Sequence, residues 1–362
     1  MRHSRIHADN MAAHRDASRH ICLAETLPRL LLVLLLVVSA PLSAKISPQQ
    51  VAIVVNTQDA DSRLIADYYQ KKRGIPQQNI ISISMPANSE SIGEERFNRI
   101  YEQVRQQTPA SVQYYALAWS KPYKAACMSI TSAFAFGFDR AYCASGCKAT
   151  RMSNYYNADT TLPASELGMR PSMMLAGSSL EQVYAMIDRG IASDHTAPRA
   201  TAYLMDTSDR NRNVRSRRYD VIQQLLSENI NIERIRADEL KDKDDVMFYF
   251  TGKVRVAAID SNRYLPGAIA DHLTSSGGRL FSTKQMSILR WLDAGATASY
   301  GTVVEPCAFT QKFPNPGIVI DRYTSGESLV EAYWKSVAWP GQGVFVGELM
   351  ASPYAGPEGG QK

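Results

Sequence analysis

Three short apolar runs, Val51–Asn56 (VAIVVN), 79–84 (NIISIS) and 114–119 (YYALAW), alternate with two helix-like stretches, and this alternation constrains the fold more than any other feature. Strands apolar at every position must be covered on both faces, which argues for a parallel sheet lying between layers of helices. Asp59-Ala60-Asp61-Ser62 can cap the first helix, whose apolar side carries Leu64, Ile65, Tyr68 and Tyr69 before Gly74 and Pro76 stop it. The second helix, 94–107, holds Phe97, Ile100, Tyr101 and Val104 at spacings of three and four, one face of a helix. Residues 48–119 therefore predict a βαβαβ first half.

From 120 to 178 the periodicity fails and Gly, Pro, Ser, Asn and Cys accumulate, so this segment reads as a long irregular insertion. A second α/β half follows over 179–350. It is expected to contain helices at 180–189, 214–228, 265–273, 284–292 and 329–337, with strands at 201–205, 246–251, 296–300 and 344–346. Residues 351–362 are expected to form an unstructured tail. The fold class is α/β, a mostly parallel sheet flanked by helices, built as one domain over 45–350 with no solenoid repeat.

The apolar run 30–38 follows Arg2, Arg5, Arg15, Arg19 and Arg29 and precedes Leu42-Ser43-Ala44, the order of a signal peptide. Residues 1–44 are predicted to be that signal, cleaved after Ala44, with Met11 an alternative start. A bilayer span needs about 20 apolar residues, and this run breaks at Ser39 and Pro41. The mature chain is thus expected to be exported, periplasmic or secreted, without a transmembrane segment. Losing five basic and three acidic residues lowers the formal charge from +5 to +3, too mild to imply nucleic acid.

Processing leaves Cys127, Cys143, Cys147 and Cys307, an even number in a compartment where disulfides persist. Three pairings are possible; the short spacing around Ser145-Gly146 favours Cys143 with Cys147, leaving Cys127 for Cys307. A zinc site would want two short-spaced pairs, so no metal is expected, and no cofactor motif is present. His195 and His272 are the only histidines left. His195, beside Asp194, reads as a solvated linker residue, and His272 as a structural histidine beside Asp271.

Gly and polar residues end the apolar strands of the second half, where ligands bind in open parallel sheets. Thr251, Gly252 and Lys253 close one strand; Tyr300, Gly301, Thr302, Glu305 and Cys307 follow another. Simple turn-making by the glycines is the competing account. At the end of the third strand Trp119, Lys121, Tyr123 and Lys124 mix aromatic faces with cations, suited to an anionic or sugar-like ligand or to packing the insertion over the sheet edge. Arg210, Arg212, Arg215, Arg217 and Arg218 read as a solvated helix face, with an anionic surface polymer or lipid headgroup as the sharper alternative.

The segments GAIADHLTSSGG, AGATASYGTVVEPC, KFPNP and VGELMASPY, the run 326–334 (GESLVEAYW), and the upstream WSKPYK and CMSITSAFAFGFD resemble a family of exported bacterial proteins found in organisms with exosortase sorting systems. The resemblance spans nearly all of the mature chain. It implies an envelope or exopolysaccharide-associated role and supplies no reaction. A more distant similarity is to the caspase and gingipain class of cysteine peptidases, in which a strand ending Tyr-Thr-Gly-His supplies the base and a cysteine ends the next strand. Here Phe250-Thr251-Gly252-Lys253 puts lysine at the base position, and 270–278 has no cysteine. The resemblance therefore implies a degenerate, non-catalytic relative. Two alternatives remain open at this point: a cysteine hydrolase using Cys307 with His272, and a binding module using the strand ends and the Trp119–Lys124 loop residues.

Overall fold

The computed structural model describes residues 46–356. The predicted signal peptide with its Ala44 cleavage site, and 357–362 of the predicted tail, lie outside the described residues.

The first half runs β1 (Val51–Asn56), α1 (Ala60–Arg73), β2 (Ile80–Ile83), the two-residue β3 (Ser91–Ile92), α2 (Glu94–Gln107) and β4 (Tyr114–Leu117). Asp59 caps α1 by accepting from the Asp61 amide at 3.1 Å, and Gly74 ends it in the left-handed conformation, φ 64°. The next segment holds short β5 (Lys124–Ala125) and β6 (Met128–Ser129), then α3 (Ile130–Phe136), α4 (Pro163–Leu167) and β7 (Ser172–Met174). The second half contains α5 (Leu180–Ser193), β8 (Thr201–Met205), α6 (Tyr219–Leu226), β9 (Asn231–Ile235), β10 (Val246–Thr251) and β11 (Tyr264–His272). It continues with α7 (Leu289–Asp293), β12 (Ala298–Thr302), α8 (Pro316–Thr324), α9 (Leu329–Lys335) and β13 (Gly343–Gly347).

Ten strands form one sheet in the order β2-β1-β4-β7-β13-β12-β11-β10-β8-β9, and β3, β5 and β6 form a small second one. Every neighbour in the large sheet is parallel except β12 and β13, which pair antiparallel from Ala298 opposite Gly347 to Thr302 opposite Gly343. That seam separates two parallel sets of five that run in opposite directions. Strands of one set deliver their carboxyl ends to one edge of the sheet, and strands of the other set to the opposite edge. β1, β4, β8, β10 and β12 are buried at every position, which is why the sequences of β1, β4, β8 and β10 are almost continuously apolar.

Several expectations are corrected. Residues 265–273 are not a helix but most of β11, buried everywhere except Pro266; an apolar run buried on all sides has no periodicity that distinguishes strand from helix. The helix expected over 284–292 is only Leu289–Asp293, and that over 214–228 divides into a 3-10 turn, Asn213–Arg218, followed by α6. The irregular 120–178 segment contributes β7 to the sheet interior and the fully packed α3. β9 and α8 were not anticipated. The tail begins later than 351: Ala351, Ser352, Pro353 and Ala355 are buried, and Leu329 donates its amide to Ala351 O at 2.8 Å.

The disulfides also differ from the expected pairing. Cys127 bonds Cys143, and Cys147 bonds Cys307. Spacing along the chain suggested a small loop around Ser145-Gly146, but α3 and its neighbours fold Cys127 back beside Cys143, and Cys147 is carried on to the loop after β12. His195 is not a solvated linker residue; its amide donates to Ser352 O at 3.2 Å and its Nδ1 lies 3.2 Å from Ala355 O. Among the described residues no helix is long and apolar enough to cross a membrane.

Candidate functional site

Two adjoining clefts open beyond the carboxyl ends of β10, β11 and β12, and Ala308 lines both. Their position follows from strand direction, since the loops leaving a parallel set converge at one edge. The larger cleft has a volume of about 650 Å³, within the range of about 300–1,000 Å³ typical of ligand sites. One wall is Arg215, Arg217 and Arg218 from the turn before α6; the other is Phe309 and Trp339, whose rings meet edge to face at 5.6 Å. Met152 and Tyr156, from the segment after β6, complete the rim.

Arg215 is the buried member of the arginine wall. Its Nη2 lies 2.7 Å from Asp271 Oδ1 and also donates to Thr251 O at 2.7 Å, while the ring of Phe250 lies 5.4 Å away. Asp271 sits one residue before the end of β11 with no exposed surface, and burial pushes its carboxyl above the ordinary value against the opposing pull of Arg215. Arg212 instead bonds Asp209 at 3.0 Å and Thr274 Oγ1 at 3.2 Å. The basic run is therefore not one solvated face: Arg215 and Arg212 are structural, whereas the exposed Arg217 and Arg218 face the cleft.

The smaller cleft contains Arg212, Ser275, Glu305 and Cys307. Glu305 is buried and accepts from the amides of Cys307 at 3.1 Å and Ala308 at 2.5 Å, with the buried Lys312 ammonium 3.8 Å away. Burial lowers the Lys312 affinity for its proton. Glu305 thus shapes the loop that forms both clefts.

The glycines at these strand ends serve close approach of backbones. A Cβ on Gly278 would lie 2.3 Å from Gly301 O, and one on Gly252 would lie 2.1 Å from Arg212 O. Both positions exclude any side chain, and this decides in favour of a structural role for the glycines there.

Neither member of the proposed Cys307–His272 dyad is available for chemistry. Cys307 is bonded to Cys147, and a disulfide sulfur is no thiolate nucleophile. His272 is fully buried on the opposite face of β11 from Asp271. Trp291 Nε1 donates to its Nδ1 at 3.0 Å, and Met286 O lies 3.0 Å from Nε2. Indole nitrogen only donates, so Nδ1 accepts and Nε2 carries the proton, fixing a neutral tautomer. Burial, with the charges of Arg215 and Arg212, pushes the imidazole pKa down to about 4. Lys253, at the base position of the distant resemblance, is ion-paired with Asp238 at 2.8 Å; that hydrogen bond holds the carboxyl down at about 2.

The remaining expected binding residues are scattered. Trp119, Tyr123, Tyr300 and Thr302 are buried; Trp119 Nε1 donates to Pro122 O at 3.0 Å, Tyr300 to Lys312 O at 2.5 Å, and Thr302 to Ser275 O at 3.2 Å. Lys124 is half-buried in the small sheet. Lys121 lines a separate cleft of about 260 Å³ at the carboxyl ends of β1, β4 and β7, together with Asp59 and Asp61, and stands 4.4 Å from the Phe281 ring. Of the expected strand-end residues Glu305 and Cys307 line the smaller cleft, and of the expected basic run Arg215, Arg217 and Arg218 line the larger one. Phe309, Trp339 and Tyr156 were not anticipated, and nothing in their local sequence marks them; Arg217 and Arg218 were visible only as part of a basic run. No group of three or more His, Cys, Asp or Glu side chains able to hold a metal is present among the described residues.

The fold and these clefts define a mixed α/β protein with a large, mostly parallel sheet flanked by helices. No protein-family model matches the chain, and no curated protein matches it in sequence. A solved structure titled "Structure of Protease" aligns with a TM-score of 0.41 at 10% identity, covering 86% of this chain and 80% of that one.

Proposed function

We propose that this chain is an exported, non-catalytic α/β protein, a degenerate relative of the gingipain class, which acts in the cell envelope by binding and is linked to exosortase sorting. The observation that carries this reading is the state of the side chains at the second set of strand ends. Lys253 is committed to Asp238, Cys307 to Cys147, and His272 to Trp291 and Met286. A nucleophile needs a base within hydrogen-bond reach, and Cys307 with His272 or Lys253 does not form such a pair among the described residues. Two disulfides are in keeping with an oxidising destination. The exosortase link rests on the sequence resemblance alone.

The test is alkylation of the mature protein under non-reducing conditions followed by mass spectrometry, alongside a peptide-library hydrolysis assay. Cys307 is expected to remain unmodified and no peptide to be cut. Rapid alkylation of Cys307, or turnover abolished by a thiol reagent, would overturn the proposal.

A further inference from the structure

We infer that the larger cleft is a binding site for an acidic saccharide, with ring carboxylates held by Arg217 and Arg218 and a sugar face packed on Trp339. This rests on the non-catalytic binding role proposed above and adds to it the site and the chemistry of its ligand.

Charge is the first reason. The cleft lining contains three arginines and no Asp or Glu. The charge of Arg215 is met from beneath by Asp271 at 2.7 Å. Among the described residues neither Arg217 nor Arg218 has a carboxylate within ion-pair distance. Two guanidinium groups without an ion-pair partner therefore stand at the mouth of a half-open cleft, where they favour an anionic ligand. A planar guanidinium grips a planar carboxylate through two parallel hydrogen bonds, which a point charge does not.

The opposite wall gives the second reason. Phe309, Trp339 and Tyr156 are half-buried, so each leaves aromatic surface toward the cleft. A pyranose ring presents an apolar C–H face, and burying that face on an aromatic side chain removes both apolar surfaces from water. Cations on one side and aromatics on the other fit a ligand that is charged at its edge and apolar on its face. A bare phosphate would leave the aromatic wall unused, and an aliphatic chain would leave the arginines unpaired.

The built character of the site is the third reason. The aromatic wall is anchored through the Trp339 amide, which donates to Gln311 O at 2.8 Å. The loop bearing Phe309 is held by the Cys147–Cys307 bond and by Glu305. The arginine wall is fixed by Arg215, whose guanidinium is spent on Asp271, Thr251 O and Pro314 O. The two walls are thus positioned before any ligand arrives, which lowers the ordering cost of binding.

The experiment is calorimetric titration of the mature, disulfide-intact protein with oligogalacturonate, with its fully methyl-esterified form, and with inorganic phosphate. Chain length of the saccharide is checked by mass spectrometry at the end of each run. Oligogalacturonate is expected to bind and to weaken with added salt, and the ester, identical in ring but uncharged, to bind at least about tenfold more weakly. Arg217→Gln/Arg218→Gln, both at exposed positions, is expected to erase that difference while leaving thermal unfolding unchanged. Trp339→Phe should bind both forms more weakly by a common factor. Absence of oligogalacturonate binding, an unaffected double variant, or displacement of the saccharide by equimolar phosphate overturns the inference. An uncut, unbound saccharide defeats this site alone and leaves the non-catalytic reading standing. A bound saccharide shortened during the titration defeats the non-catalytic reading and leaves the site.

Discussion

Acidification should weaken this fold through His272, and the size of the effect follows from its surroundings. The imidazole is buried, neutral, and bonded at both nitrogens, with a pKa of about 4 in the fold; in the unfolded chain it returns to about 6.5. Above pH 6.5 both states are neutral and the residue contributes no pH dependence. Below it the unfolded state takes up a proton that the folded state excludes, so stability falls as pH falls. The slope approaches about 1.4 kcal/mol per unit and the loss reaches about 3 kcal/mol by pH 4. Against a typical total of about 5–15 kcal/mol that loss is large. The groups around the ring set the direction. Arg215 and Arg212 oppose a second cation, and the Met286 carbonyl favours one but is outweighed by burial. The assay is urea unfolding followed by tryptophan fluorescence at pH 7.5, 6 and 5, for the natural chain and for His272→Gln. Glutamine keeps a donor for Met286 O and has no proton to gain. Between pH 7.5 and 5 the natural chain is expected to lose about 2 kcal/mol more than the variant. Parallel stability curves for the two proteins would refute the reasoning, whatever their absolute offset.

Three other outcomes are expected. Asp271→Asn should cost about 3–5 kcal/mol by leaving the Arg215 guanidinium buried without a counter-charge, whereas Arg215→Met with Asp271→Leu should recover most of that loss, as read by denaturant midpoints. Cys147→Ser/Cys307→Ser should lower stability by about 3–5 kcal/mol, because the bond closes a separation of 160 residues, and the loss should appear under non-reducing thermal unfolding. Expressed in an exporting host, the mature protein should begin at Lys45, as N-terminal sequencing would show; retention of the first 44 residues would contradict the signal reading.

The sequence made the α/β architecture legible because strands such as Val246–Thr251 are apolar at every position and helices such as Glu94–Gln107 keep a clean 3.6 period. It failed at β11 for the same physical reason it succeeded at β10. Both are buried on all sides, but Gly267, Ala268 and Ala270 lack the β-branched weight that separates strand from helix. Disulfide pairing was illegible because proximity of Cys147 to Cys307 is created by the fold, not by spacing. The cleft was half legible. Its arginines form a visible run, but which of them face solvent depends on Asp271, more than fifty residues away, and Phe309 and Trp339 meet only once the loops after β12 and α9 are in place. The expected binding residues failed in the other direction, since Trp119, Tyr123 and Tyr300 mark strand ends by being large and apolar, and the core claims such residues first.

The antiparallel seam has a consequence for the order in which the molecule comes into being. β13 is the last strand to leave the ribosome among the described residues, yet it lies fifth of ten across the sheet, between β7 and β12. Until residues 343–347 are made, the sheet lacks its fifth strand, and the four-strand and five-strand slabs on either side each present an unpaired hydrogen-bonding edge to the gap. A chain stopped at 342 is therefore expected to be cut by protease throughout both slabs instead of being trimmed at one end. Completion of this sheet is a single late event in the middle, not a gradual growth from either side.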